Sequence, residues 1–155
     1  MPIPSNDFGG AVSVSTTGAT GDASITDANA IDLGTSTVGN DLVVVATAGG
    51  DITNTGGSLT VTGDSSFTVD DGQSISVDDA ANEFTGAVAF AASTGQLNNV
   101  TVVDTTALEL QDGLDVGGAL TVTAAGISQA GAIDVTGASS FTATDDSAID
   151  LTNGA

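Results

Sequence analysis

Three adjacent acidic pairs, Asp70-Asp71, Asp78-Asp79 and Asp145-Asp146, are the residues of this chain best suited to chemistry. Clustered carboxylates can supply some of the oxygens that Ca2+ requires, about six to eight in all, or share acid and base work in glycoside hydrolysis. Asp70, Asp71, Asp145 and Asp146 are the candidate surface Ca2+ ligands, expected along one corner row. Neither an EF-hand loop nor the glycine-rich nonapeptide of Ca2+-binding β-rolls accompanies them. Solvated corners that keep the chain soluble are therefore the competing role, and Ca2+ is the one cofactor for which the sequence offers ligands.

The rest of the composition closes most routes to catalysis. The 155 residues include 20 acidic side chains and no Lys, Arg or His, a formal charge of −20. A serine nucleophile has no His or Lys to activate it. Acidic sugars, which β-helix enzymes hold with basic residues, would be repelled by the field of this chain. The sequence therefore reads as no enzyme. Nucleic acid and anionic membrane surfaces, both of which call for Lys and Arg, are excluded as partners. There is no Cys for disulfides or thiolate metal sites. No uninterrupted apolar run, Leu42 to Ala46 among them, approaches the ~20 residues of a membrane helix, so no membrane insertion is expected. No basic n-region precedes an apolar h-region, and Met1 is read as the start of a mature or excised segment if the protein is secreted.

Positioning these carboxylates falls to short strands. In Gly57–Val77 the pairs Leu59/Val61, Phe67/Val69 and Ile75/Val77 alternate with Ser, Thr or Asp, the period-two mark of a strand with one buried face. Gly63-Asp64-Ser65 and Asp70-Asp71-Gly72 turn the chain between them. Leu59, Phe67 and Ile75 are spaced eight and eight, and so are Ile133, Phe141 and Ile149. All seven of Leu59, Val61, Phe67, Ile75, Ile133, Phe141 and Ile149 are expected to point inward.

Whole phrases echo as well. Asn6–Val14 returns as Asn82–Phe90, Asp27–Leu33 as Asp104–Leu110, Val38–Leu42 as Val116–Leu120, and Val61–Thr68 as Val135–Thr142. The chain divides into a lead-in, residues 1–5, and two long units, 6–81 and 82–155, of one continuous domain. Strands this close leave no room for crossover helices. The spacing predicts an all-β parallel β-helix, a β-solenoid of about six or seven rungs, each of roughly 22 to 25 residues in three strands. Phe8 with Phe84, and Phe67 with Phe141, would then line equivalent edges. An antiparallel β-sandwich is the alternative, because Asp71-Gly72 and Asp112-Gly113 are hairpin signals.

The phrases NDFGGAVSV (Asn6–Val14), DLVVVATAGGDITNTGGSLTVTG (Asp41–Gly63) and GGALTVTAAGISQAGAIDVTG (Gly117–Gly137) resemble the repeats of filamentous-haemagglutinin-like exoproteins. Those are bacterial surface adhesins exported by two-partner secretion, with shafts of right-handed parallel β-helix. The resemblance covers nearly the whole chain after Ser5. It implies an extracellular or cell-surface location and a structural shaft or filament segment, partnered by other copies or by neighbouring repeats of a longer chain. The family's export domain and host-binding sites have no matching motif here. The alternatives are a Ca2+- or glycan-binding adhesive module and, further off, a polysaccharide-degrading β-helix enzyme or an ice-binding face built on Thr60/Thr62 and Thr121/Thr123.

Overall fold

The structure, a computed structural model, describes residues 5–152. All of the expected lead-in but Ser5 lies outside that range. The described residues form eighteen strands in six turns of three. β1 (Ala23–Asp27), β2 (Ile31–Asp32) and β3 (Ser36–Val38) make the first turn. β4 (Leu42–Ala46), β5 (Ile52–Thr53) and β6 (Leu59–Val61) make the second, and β7 (Ser65–Val69), β8 (Ile75–Val77) and β9 (Glu83–Phe84) the third. β10 (Val88–Ala92), β11 (Val100–Val103) and β12 (Ala107–Leu110) follow. The last two turns are β13 (Leu114–Val116), β14 (Leu120–Ala124), β15 (Gly126–Gln129), then β16 (Ile133–Val135), β17 (Ser139–Ala143), β18 (Ile149–Asp150).

Every strand pairs in parallel with one from a neighbouring turn, so the fold is the β-solenoid and not the sandwich. The register step is uneven, from 19 residues where Ala23 faces Leu42 to 25 where Ile75 faces Val100. The would-be hairpin signals are corners. Gly72 and Gly113 take φ of 73° and 85°, the left-handed region that glycine enters without strain. They turn the chain toward the next wall instead of back along the same one.

One wall is continuous: β2, β5, β8, β11, β14 and β17 form a six-stranded sheet. A second begins as β1-β4-β7-β10 and joins β12-β15-β18 through a single pair, Val88 with Leu110, in a seven-stranded sheet. β3-β6-β9 and β13-β16 complete the walls.

Copies of one phrase do not share a wall. β1, β4 and β7 lie in the seven-stranded sheet, whereas their echoes β11, β14 and β17 lie in the six-stranded one. Ten strands separate each strand from its echo, and ten strands at three per turn is three turns and a third. The second copy therefore continues the same coil rotated by one face. This corrects the expectation that Phe67 and Phe141 line equivalent edges: Phe67 is on β7 and Phe141 on β17, in different sheets.

The core is a column of aliphatic side chains with a small aromatic stack. The Phe67 ring stacks on Phe90 at 5.6 Å between centroids and meets Phe84 edge-on at 6.1 Å. Leu59, Val61, Phe67 and Ile75 are fully buried, as the alternation requires. Ile133 and Phe141 point the same way but are only half-buried, and Ile149 is 43% exposed. Ile149 thus departs from the inward expectation. It pairs with Ile127 below, and no described strand stacks above it. Phe8 is likewise 39% exposed where its echo Phe84 is buried.

Candidate functional site

Corner carboxylates act first on the backbone of the next rung. At the corner that enters β1, β4, β7 and β10, Asp22 Oδ1 accepts the Asp41 amide at 3.3 Å and Asp41 Oδ1 accepts the Asp64 amide at 2.9 Å. Asp64 Oδ1 continues the relay by accepting the Ala87 amide at 3.0 Å. At the corner that enters β5, β8, β11 and β14, Asp51 takes the Ser74 amide (2.7 Å), Ser74 Oγ the Asn99 amide (3.4 Å) and Asn99 the Ala119 amide (2.9 Å). Amide donors stabilise a carboxylate's charge. In a chain without a basic side chain they stand where salt bridges otherwise would.

The four candidate Ca2+ ligands are used in the same manner. Asp70 accepts the Gly49 amide (3.1 Å) and the Ser93 hydroxyl (3.0 Å), and Asp71 accepts the Gln96 amide (3.0 Å). Asp145 accepts the Ser147 hydroxyl, and Asp146 sits at a left-handed corner with φ of 57°. The two pairs do not share a corner row. Asp70-Asp71 leaves β7 of the seven-stranded sheet, whereas Asp145-Asp146 leaves β17 of the six-stranded sheet, because the copies are rotated by one face. Among the described residues no group of three or more acidic side chains is placed to hold a metal ion. The third acidic pair is also committed in part: Asp79 accepts the Ala81 amide at 2.9 Å. The two Thr-x-Thr pairs divide between walls as well, Thr60 on β6 and Thr121 on β14.

The polar groups that matter most to the interior escaped the sequence reading. Asn54 and Asn82 are buried at the corner that leaves the six-stranded sheet. Asn54 Nδ2 donates to Asn82 Oδ1 at 2.7 Å, Asn82 Oδ1 also accepts the Leu59 amide at 2.9 Å, and Asn82 Nδ2 donates to the Val77 carbonyl at 3.0 Å. Asp104 is buried one rung on, accepting the Phe84 amide at 3.0 Å and the Thr106 amide at 3.1 Å. Burial pushes its carboxyl above the usual carboxylate range, against the pull of hydrogen bonds from Phe84, Thr106 and Thr105. Asp27, its echo, is buried too and accepts the Phe8 amide, the same rung-to-rung contact in the other copy. That these aspartates head an echoed phrase was the available signal. At the far end, the Thr152 hydroxyl and amide hold exposed Asp150 below its ordinary value.

A groove of about 440 Å3 on the outside of the first turns is lined by Phe8, Gly9, Gly10, Asp32, Asp51 and Thr53. Its carboxylates brace backbone, Asp32 holding the Thr55 amide at 2.8 Å and Asp51 the Ser74 amide.

Residues 20–91 and 97–155 match a family described as repeats of unknown function (DUF5649). The chain belongs to this family. Its two DUF5649 matches begin 77 residues apart, the separation of Asp27 from Asp104. The first match runs past residue 81 into the second unit, and the second match lies within that unit. No curated protein and no solved structure matches the chain.

Proposed function

We propose that this DUF5649 chain is a non-catalytic structural shaft, a segment of an extracellular bacterial surface adhesin or fibre. One observation supports the reading above the rest: apart from the single Val88–Leu110 pair, the walls are parallel ladders between neighbouring turns, so most contacts recur from turn to turn. Lengthening such a stack adds rungs without demanding a new kind of interface. Most of the interior is filled by aliphatic and phenyl side chains, and a relay of carboxylates holds corners. The cell-surface location rests on the resemblance of Asn6–Val14, Asp41–Gly63 and Gly117–Gly137 to haemagglutinin-type repeats. Partners of a shaft are neighbouring rungs or other copies.

The test is a screen of the purified chain against polysaccharides, nucleotides and Ca2+, read both for saturable binding and for turnover. A shaft gives neither at any single site. Sugar release abolished by Asp70→Asn/Asp71→Asn would replace this reading with an enzyme. Saturable Ca2+ binding lost in the same variant would replace it with an adhesive metal module.

A further inference from the structure

The two ends of the stack carry the separated halves of a contact that the interior already makes. At the upper end, β16, β17 and β18 have no described strand above them. Between them opens a hollow of about 330 Å3 lined by Gln129, Ile133, Val135, Ser139, Phe141 and Leu151. The last five echo Leu59, Val61, Ser65, Phe67 and Val77 of the first copy, none of which is more than 1% exposed. There the phrase Asn82–Phe90 closes the space. Phe84 pairs in register with Val61 and meets Phe67 edge-on, while Val88 pairs with Ser65 and Phe90 with Phe67.

The same phrase stands at the lower end as Asn6–Val14. One edge of it is used by its own chain: the Asn6 carbonyl accepts the Ala28 amide at 2.8 Å, and the Phe8 amide donates to Asp27 Oδ1 at 3.3 Å. No described strand pairs with the other edge, and a free edge is a template for another chain. Among the described residues the large apolar side chains left exposed are Phe8, Val43, Ile149 and Leu151, and all but Val43 lie at the two ends. β18 echoes β8, so the next positions of the coil are echoes of β9, β10 and β11. Asp7-Phe8, Val12–Val14 and β1 are those echoes.

We propose that the lower end of a second copy seats on the upper end of the first, head to tail, and carries the coil across the junction. The register inside the molecule fixes the register between molecules. Phe8 of the second copy lies beside Val135 and edge-on to Phe141, as Phe84 lies to Val61 and Phe67. Its Val12 lies beside Ser139, and its Ala23 and Ile25 lie beside Ile149 and Leu151, as Val100 and Val102 lie beside Ile75 and Val77. Apolar surface at both ends leaves water together. A head-to-tail contact of this kind leaves one end of each sort free, so it extends into a filament. Charge opposes it: Asp7 comes beside Asp134, between molecules of charge −20. This deepens the shaft reading and rests on it for the use of a stack that lengthens.

Sedimentation velocity on the full chain at rising concentration tests it, in NaCl near 1 M, where the Debye length falls to about 3 Å. The native chain should form dimers, trimers and longer species. Phe8→Asp and Leu151→Asp should each weaken association at least tenfold, and Val43→Asp, on a wall, less than twofold. An equimolar mixture of Phe8→Asp and Leu151→Asp should recover a dimer and nothing longer, because it joins one intact upper end to one intact lower end. A second measurement reads the register with the core untouched. Asp150 and Ser24 echo Ser76 and Thr101, which are register partners. They lie six strand steps of about 4.8 Å apart within one molecule, beyond the reach of a disulfide. Under mild oxidation Ser24→Cys/Asp150→Cys should therefore give a ladder of crosslinked chains, and Ser24→Cys/Asp134→Cys should not. A native chain that stays monomeric, or end variants that associate as it does, overturns the proposal. So does association lost in Leu151→Asp and kept in Phe8→Asp, the mark of two upper ends meeting. Each of these leaves the shaft reading in place, whereas turnover or saturable binding in the screen above sinks that reading and not the junction.

Discussion

The two copies of the repeat spend nearly the same residues on different outcomes. Phe67 is fully buried against Phe84 and Phe90, while its echo Phe141 is only partly covered. Ile75 is buried and Ile149 is 43% exposed. Ser65 is sealed between Leu42 and Val88, while Ser139 is exposed. In a solenoid the inward direction belongs to the strand, but burial is conferred by the rungs above and below. In the first copy β7 and β8 have neighbours on both sides, whereas their echoes β17 and β18 have described neighbours on one side only.

The largest consequence is for the phenylalanines. Phe67→Ala should cost about 3–5 kcal/mol, the range for emptying a packed aromatic site. Phe141→Ala should cost under about 2 kcal/mol, since much of that ring's surface is wet in the native state. Urea denaturation of the two variants compares them directly, and equal losses would break the contrast. Ser65 carries the opposite sign. Its buried hydroxyl has no hydrogen-bond partner, so Ser65→Ala should stabilise by about 1 kcal/mol. Ser139→Ala should leave the midpoint where it was.

Asp104 adds a pH dependence. Its folded-state carboxyl is raised by burial above the ordinary 3.8. Its contribution to stability is then full below that ordinary value and is lost as pH rises through the raised one. Acidifying from neutrality should therefore stabilise the native chain before the ordinary range is reached, and Asp104→Asn should flatten that rise in urea midpoints. An unchanged slope would remove Asp104 as its source. The smallest effect is at a corner. Asp146 takes the left-handed conformation where the first copy has Gly72. Asp146→Gly should stabilise by about 0.5 kcal/mol, and Gly72→Asp should destabilise by a similar or larger amount. Thermal melts of both variants sharpen the comparison.

Much of this architecture can be read from the residues. Alternation in Leu59/Val61, Phe67/Val69 and Ile75/Val77 marks strands and their inner faces, and the crowding of such pairs leaves no space for helices. Echoed phrases announce a stack. What alternation does not encode is which strand lies above which, because inward and outward are local properties and vertical neighbours are twenty or so residues away. The rotation of one face depends on counting ten strands per copy. Short strands such as β2, β5 and β9 have only two residues each and leave little pattern to count. That is why Asp145-Asp146 was expected beside Asp70-Asp71 and is found on another corner. The buried amides of Asn54 and Asn82 and the carboxylates of Asp27 and Asp104 were hidden for a related reason. In sequence they look like turn residues, and only stacking shows the amides that they meet.

The central claim, that the second copy continues the coil one face round from the first, is open to a direct chemical test. The chain has no Cys, so introduced pairs report without background. In the rotated stack Thr101 lies beside Ser76 of β8, its register partner. Were the copies stacked like on like, β11 would instead follow β10 up the other wall and Thr101 would lie beside Ala89. Neighbouring strands about 4.8 Å apart bring the paired Cα atoms within the ~4.4–6.8 Å that a disulfide spans. Under mild oxidation, Ser76→Cys/Thr101→Cys should close an intramolecular disulfide in nearly every molecule, while Ala89→Cys/Thr101→Cys should keep two free thiols. The reverse pattern, closure of the Ala89→Cys/Thr101→Cys variant with the other left open, would contradict the rotation.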